Sequence, residues 1–270
     1  MRTLHNYLIL YDSECPMCKV YTRAFTATGM LDADGRAPYQ HMPVAACPLV
    51  DRQRAVNEIA LVNTQTGEVK YGIESLFAVI ANSFPVFSPL FNCRPFARIM
   101  RKVYAFISYN RKIIIPPPGK TDPAFQPAFS LKYRIAWLFF TTLVAGTILT
   151  AYSKLLLGLF PPGSGYREYM ICFGQILFQG FLVSLYAPRK SWDYLGNMMT
   201  ISLAGSLLLL PMLPLAPLLH ANAIAASAYF LFVASLMLLE HIRRSKLLGL
   251  GWLLTITWVT YRLIVLWLIL

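Results

Sequence analysis

The second half of the chain is almost continuously apolar, and this feature constrains the fold more than any other. A helix needs about 20 apolar residues to cross the hydrocarbon core of a bilayer. Five stretches approach or exceed that length, the fourth being the shortest: residues 135–160, 169–187, 196–218, 223–239 and 247–270. The prolines of "PMLPLAP", residues 211–217, should break the third helix near one surface. The sequence therefore predicts an all-α transmembrane bundle of about five spans over residues 132–270.

Composition separates this half from the rest of the chain. The protein is 57% hydrophobic and only 13% charged, which is too apolar for an ordinary soluble protein. Most of its charges nevertheless lie before Arg134. Residues 1–115 are therefore predicted to form a soluble domain, and residues 116–131, which contain "PPPGKTDPAFQPAF", a stiff proline-rich linker to the first span.

Lysine and arginine in the short loops predict the orientation, because these residues mark the cytoplasmic side of a membrane. They precede the first span and recur between the second and third spans and between the fourth and fifth. An odd number of spans then places the amino-terminal domain in the cytoplasm and Leu270 on the opposite side. The first residues, "MRTLHNYLILYD", lack the long apolar core of a signal peptide. We therefore expect an integral protein of a bacterial inner membrane. The loop residues are Lys132, Arg134, Arg189, Lys190, Arg243, Arg244 and Lys246.

The net charge of +12 favours a lipid partner over nucleic acid. The basic residues form no recognisable nucleic-acid motif, and many flank apolar segments. Anionic lipid head groups are the simpler partner. Residues 94–112, "RPFARIMRKVYAFISYNRK", predict a helix with one apolar and one basic face. This helix would either lie on the cytoplasmic leaflet or close the soluble domain.

The soluble half has the pattern of an α/β domain. "NYLILY" predicts a buried strand, and "KVYTRAFTATGM" has helical spacing. "APYQHM" predicts a second strand, "VAACPLVDRQRAV" a loop or helix, "EIALVNTQTGEVKYG" a hairpin and "IESLFAVIANSF" a further helix. This order of strand, helix, strand, helix, hairpin and helix is that of a thioredoxin-like domain.

The stretch "YDSECPMCK" sets two cysteines, Cys15 and Cys18, on either side of Pro16 and Met17. Proline suits the first position of a helix, so Cys15 should lie at a helix N-terminus. The positive end of the helix dipole favours the thiolate there and lowers the pKa of the thiol. Five cysteines in all make an odd count, which is a poor disulfide framework. A redox or metal pair is the better interpretation.

A metal site is the alternative to a redox pair. Structural zinc takes four ligands, and this pair supplies two. Other candidate ligands are present, but none forms a second closely spaced pair, so zinc is disfavoured and no cofactor is predicted. Reducing equivalents would come from another protein or a small thiol. The other candidate ligands are Cys47, Cys93, His5 and His41.

Three segments together resemble the DCC family of thiol-disulfide oxidoreductases. They are "LILYDSECPMCK", "ALVNTQTGEVKYGIESL" and "VYAFISYNRK", within residues 5–115. The resemblance implies a thioredoxin-like fold, with Cys15 and Cys18 as the redox pair and Asp12 beside them. Asp12 would accept the proton of Cys18, or else act as a turn or capping residue.

Two features depart from that pattern. The family commonly has glycine after the aspartate, whereas this chain has Ser13. Thioredoxins place a cis-proline before the strand that corresponds to "EIALVN", and here Pro43 and Pro48 lie too early for that place. Action on folded protein disulfides is therefore less well supported than the redox motif itself.

Two functions from different classes follow. In the first, Cys15 attacks a substrate disulfide and Cys18 resolves the mixed disulfide, so that a membrane-anchored, cytoplasm-facing oxidoreductase reduces its substrate. In the second, the chain is a non-catalytic membrane subunit of a larger complex, and its amino-terminal domain docks a partner.

Polar residues inside the predicted spans need a separate explanation. Arg262 lies well within the fifth span, and Gln175 and Gln179 share one face of the second. They predict an intramembrane polar site for a head group, a quinone or a partner helix. The alternative is interhelical hydrogen bonding with a snorkelling arginine. Cys172, which has no second cysteine nearby in the sequence, is predicted to be a packed small residue.

Overall fold

The computed structural model describes residues 1–42, 49–117, 119, 127–161, 163–218 and 222–269. The chain divides into two compact units, Met1–Tyr133 and Arg134–Leu270. We call them the amino-terminal unit and the helical unit.

The amino-terminal unit alternates strands and helices in the predicted order. The turn "TQTGE" joins the last two strands, as the hairpin pattern predicts. One strand is shorter than predicted, because "APYQHM" leaves the sheet after Pro38 and its next three residues form a turn of 3-10 helix. The elements are β1 (Tyr7–Tyr11), α1 (Pro16–Ala27), β2 (Arg36–Pro38), α2 (Arg52–Asn57), β3 (Ala60–Asn63), β4 (Val69–Tyr71) and α3 (Ile73–Ser83).

The strands of the described residues form a small mixed sheet of four in the order β2-β1-β3-β4. β1 pairs with β2 in parallel and with β3 in antiparallel, and β3 pairs with β4 in antiparallel. The apolar run of β1 is buried on both faces, since Ile9 packs with Phe25 and Val79 while Leu10 packs with Tyr39 and Ala60. A continuous apolar strand of this kind belongs in the middle of a covered sheet.

Two helices complete the amino-terminal unit: α4 (Ser88–Asn92) and α5 (Arg94–Ile114). α5 is the predicted amphipathic helix. It closes the domain because the backbone N–H of Ile59 donates to the Tyr104 hydroxyl at 3.0 Å and the Ser108 hydroxyl donates to the Asn57 carbonyl. Its apolar residues Ile99 and Val103 remain exposed.

The described residues of the helical unit are mostly helical. Among the described residues, four helical segments are long and apolar enough to cross a membrane: Leu131–Leu156, Arg167–Tyr186, Pro188–Ala216 and Ala223–Leu247. The chain is thus consistent with an integral membrane protein. The helices are α6 (Leu131–Ser153), α7 (Arg167–Tyr186), α8 (Ser191–Leu209), α9 (Met212–Leu218), α10 (Ala223–Leu247) and α11 (Leu253–Ile269).

The helix bounds correct the predicted spans at two places. α10 continues eight residues beyond 239, because Glu240 forms ion pairs with Arg243 and Arg244, three and four residues further along the helix. α11 begins at Leu253 rather than 247, because Gly249 and Gly251 adopt positive φ angles of 62° and 60° and form a turn. With 17 described residues, α11 is shorter than the four segments, so a fifth span stays a prediction. The break near Pro211 is confirmed, since α8 ends at Leu209.

The helical unit buries one face of its helices and leaves the other apolar. Its core includes Tyr194, Met198, Leu254 and Trp258. Large apolar side chains elsewhere on the helices are exposed, for example Leu185 at 71%. Such a surface is unsuited to water and compatible with contact to lipid.

Candidate active site

The two cysteines lie at the junction of β1 and α1. β1 ends at Tyr11, a tight turn follows, and Cys15 is the residue that caps α1, with Pro16 at the first helical position. The Cys15 sulfur accepts a hydrogen bond from the backbone N–H of Cys18 at 3.4 Å. The predicted position of Cys15 at a helix N-terminus is confirmed, and the two cysteines lie close together as free thiols.

The two thiols are electrostatically unlike. A hydrogen bond from the Cys18 thiol lowers the pKa of Cys15 to about 7, with the Cys18 backbone N–H and the charge of Arg111 also lowering it, against the opposing effects of burial and of Asp12. The same bond to Cys15, together with burial, raises the pKa of Cys18. As the pH rises through about 7, the pair therefore comes to hold a thiolate on Cys15 while Cys18 keeps its proton.

Asp12 and Arg111 form a buried ion pair beside the thiols. The Arg111 guanidinium Nη2 lies 2.7 Å from Asp12 Oδ2, and the two side chains are 6% and 3% exposed. The other oxygen, Oδ1, accepts from the Glu14 backbone N–H at 2.9 Å and from Gln40 Nε2 at 2.8 Å. Asp12 thus holds the turn before Cys15. Its hydrogen bonds within the described part of the chain do not include one with Cys18, so its proposed role as proton acceptor stays a prediction.

Arg111 had no role assigned by sequence reasoning. It lies in the last turns of α5, and it also donates from Nη2 to the Val56 carbonyl at 3.0 Å. The pair with Asp12 joins residues 99 positions apart. The segment "VYAFISYNRK", which contains Arg111, contributed to the family resemblance, and that was the one signal pointing to it.

Access to the thiols is narrow. Cys15 is 6% exposed and Cys18 is 4% exposed. Cys15 lines a small cleft, whereas Cys18 faces inward and its sulfur accepts a 3.6 Å hydrogen bond from the Tyr21 hydroxyl. A reagent would therefore meet Cys15 first. The cleft is lined by Asp12, Glu14, Cys15, Arg111, Lys112, Ile115 and Pro117.

The residues considered for zinc lie in different places. His5 contacts Asp32 at 2.7 Å, and Cys93 is an exposed free thiol at the start of α5. Within the described ranges, no group of three or more His, Cys, Asp or Glu side chains is arranged to hold a metal ion. Cys47, with Pro43 and Pro48, lies outside the described residues. The prediction about zinc therefore stays open.

The three polar residues predicted within the spans are brought near one another on facing helices. Arg262 Nε donates to Gln175 Oε1 at 2.8 Å, which joins α11 to α7. Gln179, one turn further along α7, accepts from the Tyr194 hydroxyl at 3.0 Å. That hydroxyl also contacts His241 Nε2 at 3.2 Å, a residue that sequence reasoning did not single out. Cys172 is a buried free thiol on the same helix α7.

Comparison with known proteins gives no relative that would assign this site. A scan against protein-family models found no match, and searches of the curated proteins and of the solved structures found none either.

Proposed function

We propose that the protein is a membrane-anchored thiol-disulfide oxidoreductase of the DCC type, in which Cys15 is the nucleophile and Cys18 the resolving thiol. The observation that carries the proposal is the unlike pair at the N-terminus of α1, where one thiol has its pKa lowered to about 7 by a hydrogen bond from the other. A thiolate available at neutral pH, backed by a shielded protonated thiol, suits thiol-disulfide exchange.

The element order and the mixed sheet support a thioredoxin-like fold for the amino-terminal unit. β1, α1 and β2 form a parallel strand-helix-strand unit, and β3 and β4 form the antiparallel hairpin before α3. The cysteine pair follows directly from the first strand. These features agree with the fold that the resemblance to the DCC family implies.

The reaction is a two-electron exchange. The Cys15 thiolate attacks one sulfur of a substrate disulfide, forming a mixed disulfide and releasing the first substrate thiolate. Cys18 gives its proton to that thiolate and attacks the Cys15 sulfur, which forms the Cys15–Cys18 disulfide and releases the second substrate thiolate. The substrate is reduced and the protein is oxidised. A dithiol protein or a small thiol then restores the reduced pair.

Asp12 and Arg111 act as positioning residues in this scheme. The Arg111 cation favours the thiolate of Cys15, and Asp12 fixes Arg111 and the turn before Cys15 through its hydrogen bonds. A buried arginine without its carboxylate would lower the stability of the fold, so we expect loss of either residue to disturb the other.

The membrane setting of the proposal includes a fifth span, α11, and a cytoplasmic amino-terminal unit in a bacterial inner membrane. The basic loop residues support this orientation. A reducing compartment favours reduction of the substrate as the direction of reaction. Labelling Cys15 with a membrane-impermeant maleimide in sealed inside-out and right-side-out vesicles tests it, and access only from the exterior face would overturn the orientation.

Trapping of the intermediate tests the reaction. A Cys18→Ser variant, expressed in cells, should accumulate mixed disulfides on Cys15, because the resolving thiol is absent. The bands should disappear on treatment with dithiothreitol and should be missing from a Cys15→Ser/Cys18→Ser double variant. If Cys18→Ser forms no more mixed disulfide than the double variant, the oxidoreductase proposal is wrong.

A second function is favoured by one observation, the low exposure of both sulfurs. At 6% exposed, Cys15 offers little surface to a bulky disulfide. This agrees with a non-catalytic membrane subunit whose amino-terminal unit docks a partner. The two functions separate in the Cys15→Ser variant, which should lose disulfide reduction under the first and keep its assembly with partners under the second.

A further inference from the structure

Arg262 in the helical unit has no anionic partner among the residues that the structure describes. Its Nε donates to Gln175 Oε1 at 2.8 Å, and its guanidinium lies over the Trp258 ring at 4.9 Å from the centroid. Among the described residues no carboxylate lies within ion-pair distance of it. A charge in such a place normally has a partner or a wet cavity.

Two other arginines of the helical unit differ from Arg262. Arg134 Nη1 lies 3.0 Å from Asp193 Oδ1, and Arg244 Nε lies 2.7 Å from Glu240 Oε1. Both are largely buried and both have a carboxylate partner in the chain itself. Arg134 and Arg244 thus each have a carboxylate partner within this unit, and Arg262 differs from them in this respect.

Two buried donors beside Arg262 have no hydrogen-bond partner among the described residues. They are Gln175 Nε2 and Trp258 Nε1, on side chains whose residues are 1% and 4% exposed. Exchanging the oxygen and nitrogen positions of the Gln175 amide would not satisfy this donor. The oxygen already accepts from Arg262, and in the exchanged orientation the amide nitrogen would face the arginine cation. A buried donor without an acceptor costs about 1–3 kcal/mol, so an orphan of this kind calls for an explanation.

The neighbouring polar network is complete by contrast. The Tyr194 hydroxyl donates to Gln179 Oε1, and the two ring nitrogens of His241 contact Tyr194 and Thr255 at 3.2 and 3.1 Å. These bonds join α7, α8, α10 and α11 and are sufficient as interhelical contacts. Two buried hydroxyls elsewhere in the helical unit, those of Thr150 and Ser227, also lack a partner among the described residues, but only Gln175 and Trp258 carry their unsatisfied N–H donors beside an arginine.

We propose that Arg262, Gln175 and Trp258 bind the phosphate of an anionic phospholipid. The three side chains offer N–H donors and a positive charge, and a phosphate supplies the missing acceptors and the missing negative charge. Arg262 is close enough to the other two for one ligand, since it bonds to Gln175 and covers the Trp258 ring. The site is referred to below as the donor cluster.

The surroundings favour a lipid over a water-borne anion. Phe173, Leu177 and Leu263, on α7 and α11, are 50%, 58% and 59% exposed and would contact acyl chains. Gln175 lies eight residues after the start of α7, or about 12 Å along its axis. Snorkelling of a long arginine and local thinning of the bilayer bring a head group to such a depth. The inference rests on the proposed membrane setting but not on the proposed redox reaction.

Native mass spectrometry of the full-length protein in detergent tests the proposal. Dioleoyl phosphatidylglycerol is titrated against dioleoyl phosphatidylcholine and against inorganic phosphate. The wild type should bind phosphatidylglycerol at least about tenfold more tightly than phosphatidylcholine, and Arg262→Gln should remove that preference. Arg243→Gln, which changes an exposed arginine of α10, is the matched control and should keep the preference.

Three results would overturn the proposal. One is an unchanged preference in Arg262→Gln, and another is an equal affinity of the wild type for the two phospholipids. Inorganic phosphate binding as tightly as phosphatidylglycerol would assign the cluster to an aqueous anion instead. Disulfide reduction by the same samples is measured separately, so that failure of the redox function is told apart from failure of lipid binding.

A second measurement covers the case in which Arg262→Gln does not fold. Brominated phosphatidylglycerol quenches tryptophan fluorescence at short range, and the wild type is compared with Trp258→Phe. Quenching should fall in Trp258→Phe for brominated phosphatidylglycerol and stay equal for brominated phosphatidylcholine. An equal loss for both lipids, or no loss for either, would contradict the proposal.

Discussion

Arg111 in the amino-terminal unit and Arg262 in the helical unit both contact the interior of their unit, but among the described residues only Arg111 has a carboxylate within ion-pair distance. Arg111 meets Asp12 at 2.7 Å, whereas Arg262 meets the neutral amide of Gln175 at 2.8 Å. A cation paired within the chain serves the fold and the groups beside it. A cation left with surplus donors indicates that its partner comes from outside the chain.

The thiol site and the donor cluster also differ in the groups that must come from outside the chain. In the proposed reaction, the nucleophile, the resolving thiol and the Asp12–Arg111 ion pair all lie within one unit, and only a substrate and a reductant would come from outside. In the donor cluster, at Arg262, Gln175 and Trp258, two buried N–H donors have no acceptor in the described part of the chain.

The largest expected effect is the loss of disulfide reduction in Cys15→Ser. Serine cannot supply a thiolate, so the rate at which the protein reduces a small aromatic disulfide should fall to that of the buffer blank. The absorbance of the released aromatic thiolate measures this rate. Cys93→Ser removes an exposed thiol outside the cleft and is the matched control. Turnover that persists in Cys15→Ser, or that disappears in Cys93→Ser, would place the chemistry elsewhere.

The next effect is on stability. Arg111→Leu removes one partner of a buried ion pair and leaves Asp12 uncompensated, which should lower the free energy of unfolding of the amino-terminal unit by about 3–5 kcal/mol. Arg98→Leu changes an exposed arginine of the same helix and should cost less than about 0.5 kcal/mol. Urea unfolding followed by circular dichroism compares the two variants.

A double variant measures the interaction energy between Asp12 and Arg111. The double variant Asp12→Asn/Arg111→Leu should lose less free energy of unfolding than the two single variants lose in sum. Each single variant leaves one unpaired buried charge, whereas the double variant leaves none. Additive losses, or equal losses in Arg111→Leu and Arg98→Leu, would show that the pair does not hold the turn before Cys15.

Local features of the thiol site were predictable from the sequence, and its long-range partner was not. The strand, the turn and the helix-initiating Pro16 are neighbours in the chain, so the pattern places Cys15 at a helix N-terminus. Arg111 reaches Asp12 only because α5 folds back over the domain, and no local periodicity encodes that contact. The amphipathic pattern gave no sign that Arg111, unlike an exposed arginine such as Arg98, would be buried.

The helical unit shows the same division between local and distant information. Hydropathy located the helices, and the i, i+4 spacing placed Gln175 and Gln179 on one face of α7. The ends of α10 and α11 were misplaced, because ion pairs of Glu240 and a glycine turn outweigh hydropathy there. The roles of Trp258 and His241 depend on packing between helices, which one sequence does not reveal.

A smaller effect is expected in the pH dependence of Cys15. Its lowered pKa, about 7, means that the thiolate is present above that pH and is lost as the pH falls through it. The rate of alkylation by iodoacetamide at Cys15, followed by peptide mass spectrometry, should therefore rise about tenfold from pH 6 to pH 8.

Arg111→Leu should move that profile to higher pH, since the Arg111 charge helps to lower the pKa of Cys15. Arg98→Leu should leave the midpoint where it is. A wild-type midpoint near that of an ordinary thiol, or identical profiles in the two arginine variants, would contradict the electrostatic account of the site.

The smallest expected effect comes from a matched pair of tryptophans in the helical unit. Trp137 and Trp258 are 5% and 4% exposed, so Trp→Phe removes a similar buried area from each. Trp137 Nε1 donates to Thr200 Oγ1 at 3.0 Å, whereas Trp258 Nε1 has no acceptor within the described part of the chain.

In detergent without added lipid, Trp137→Phe should therefore lower the free energy of unfolding by about 1 kcal/mol more than Trp258→Phe does. Thermal unfolding measures the difference, which should shrink when phosphatidylglycerol supplies Trp258 with an acceptor. An equal cost for the two variants without lipid would mean that Trp258 already has a partner, and the contrast between the donor cluster and the thiol site would then fail.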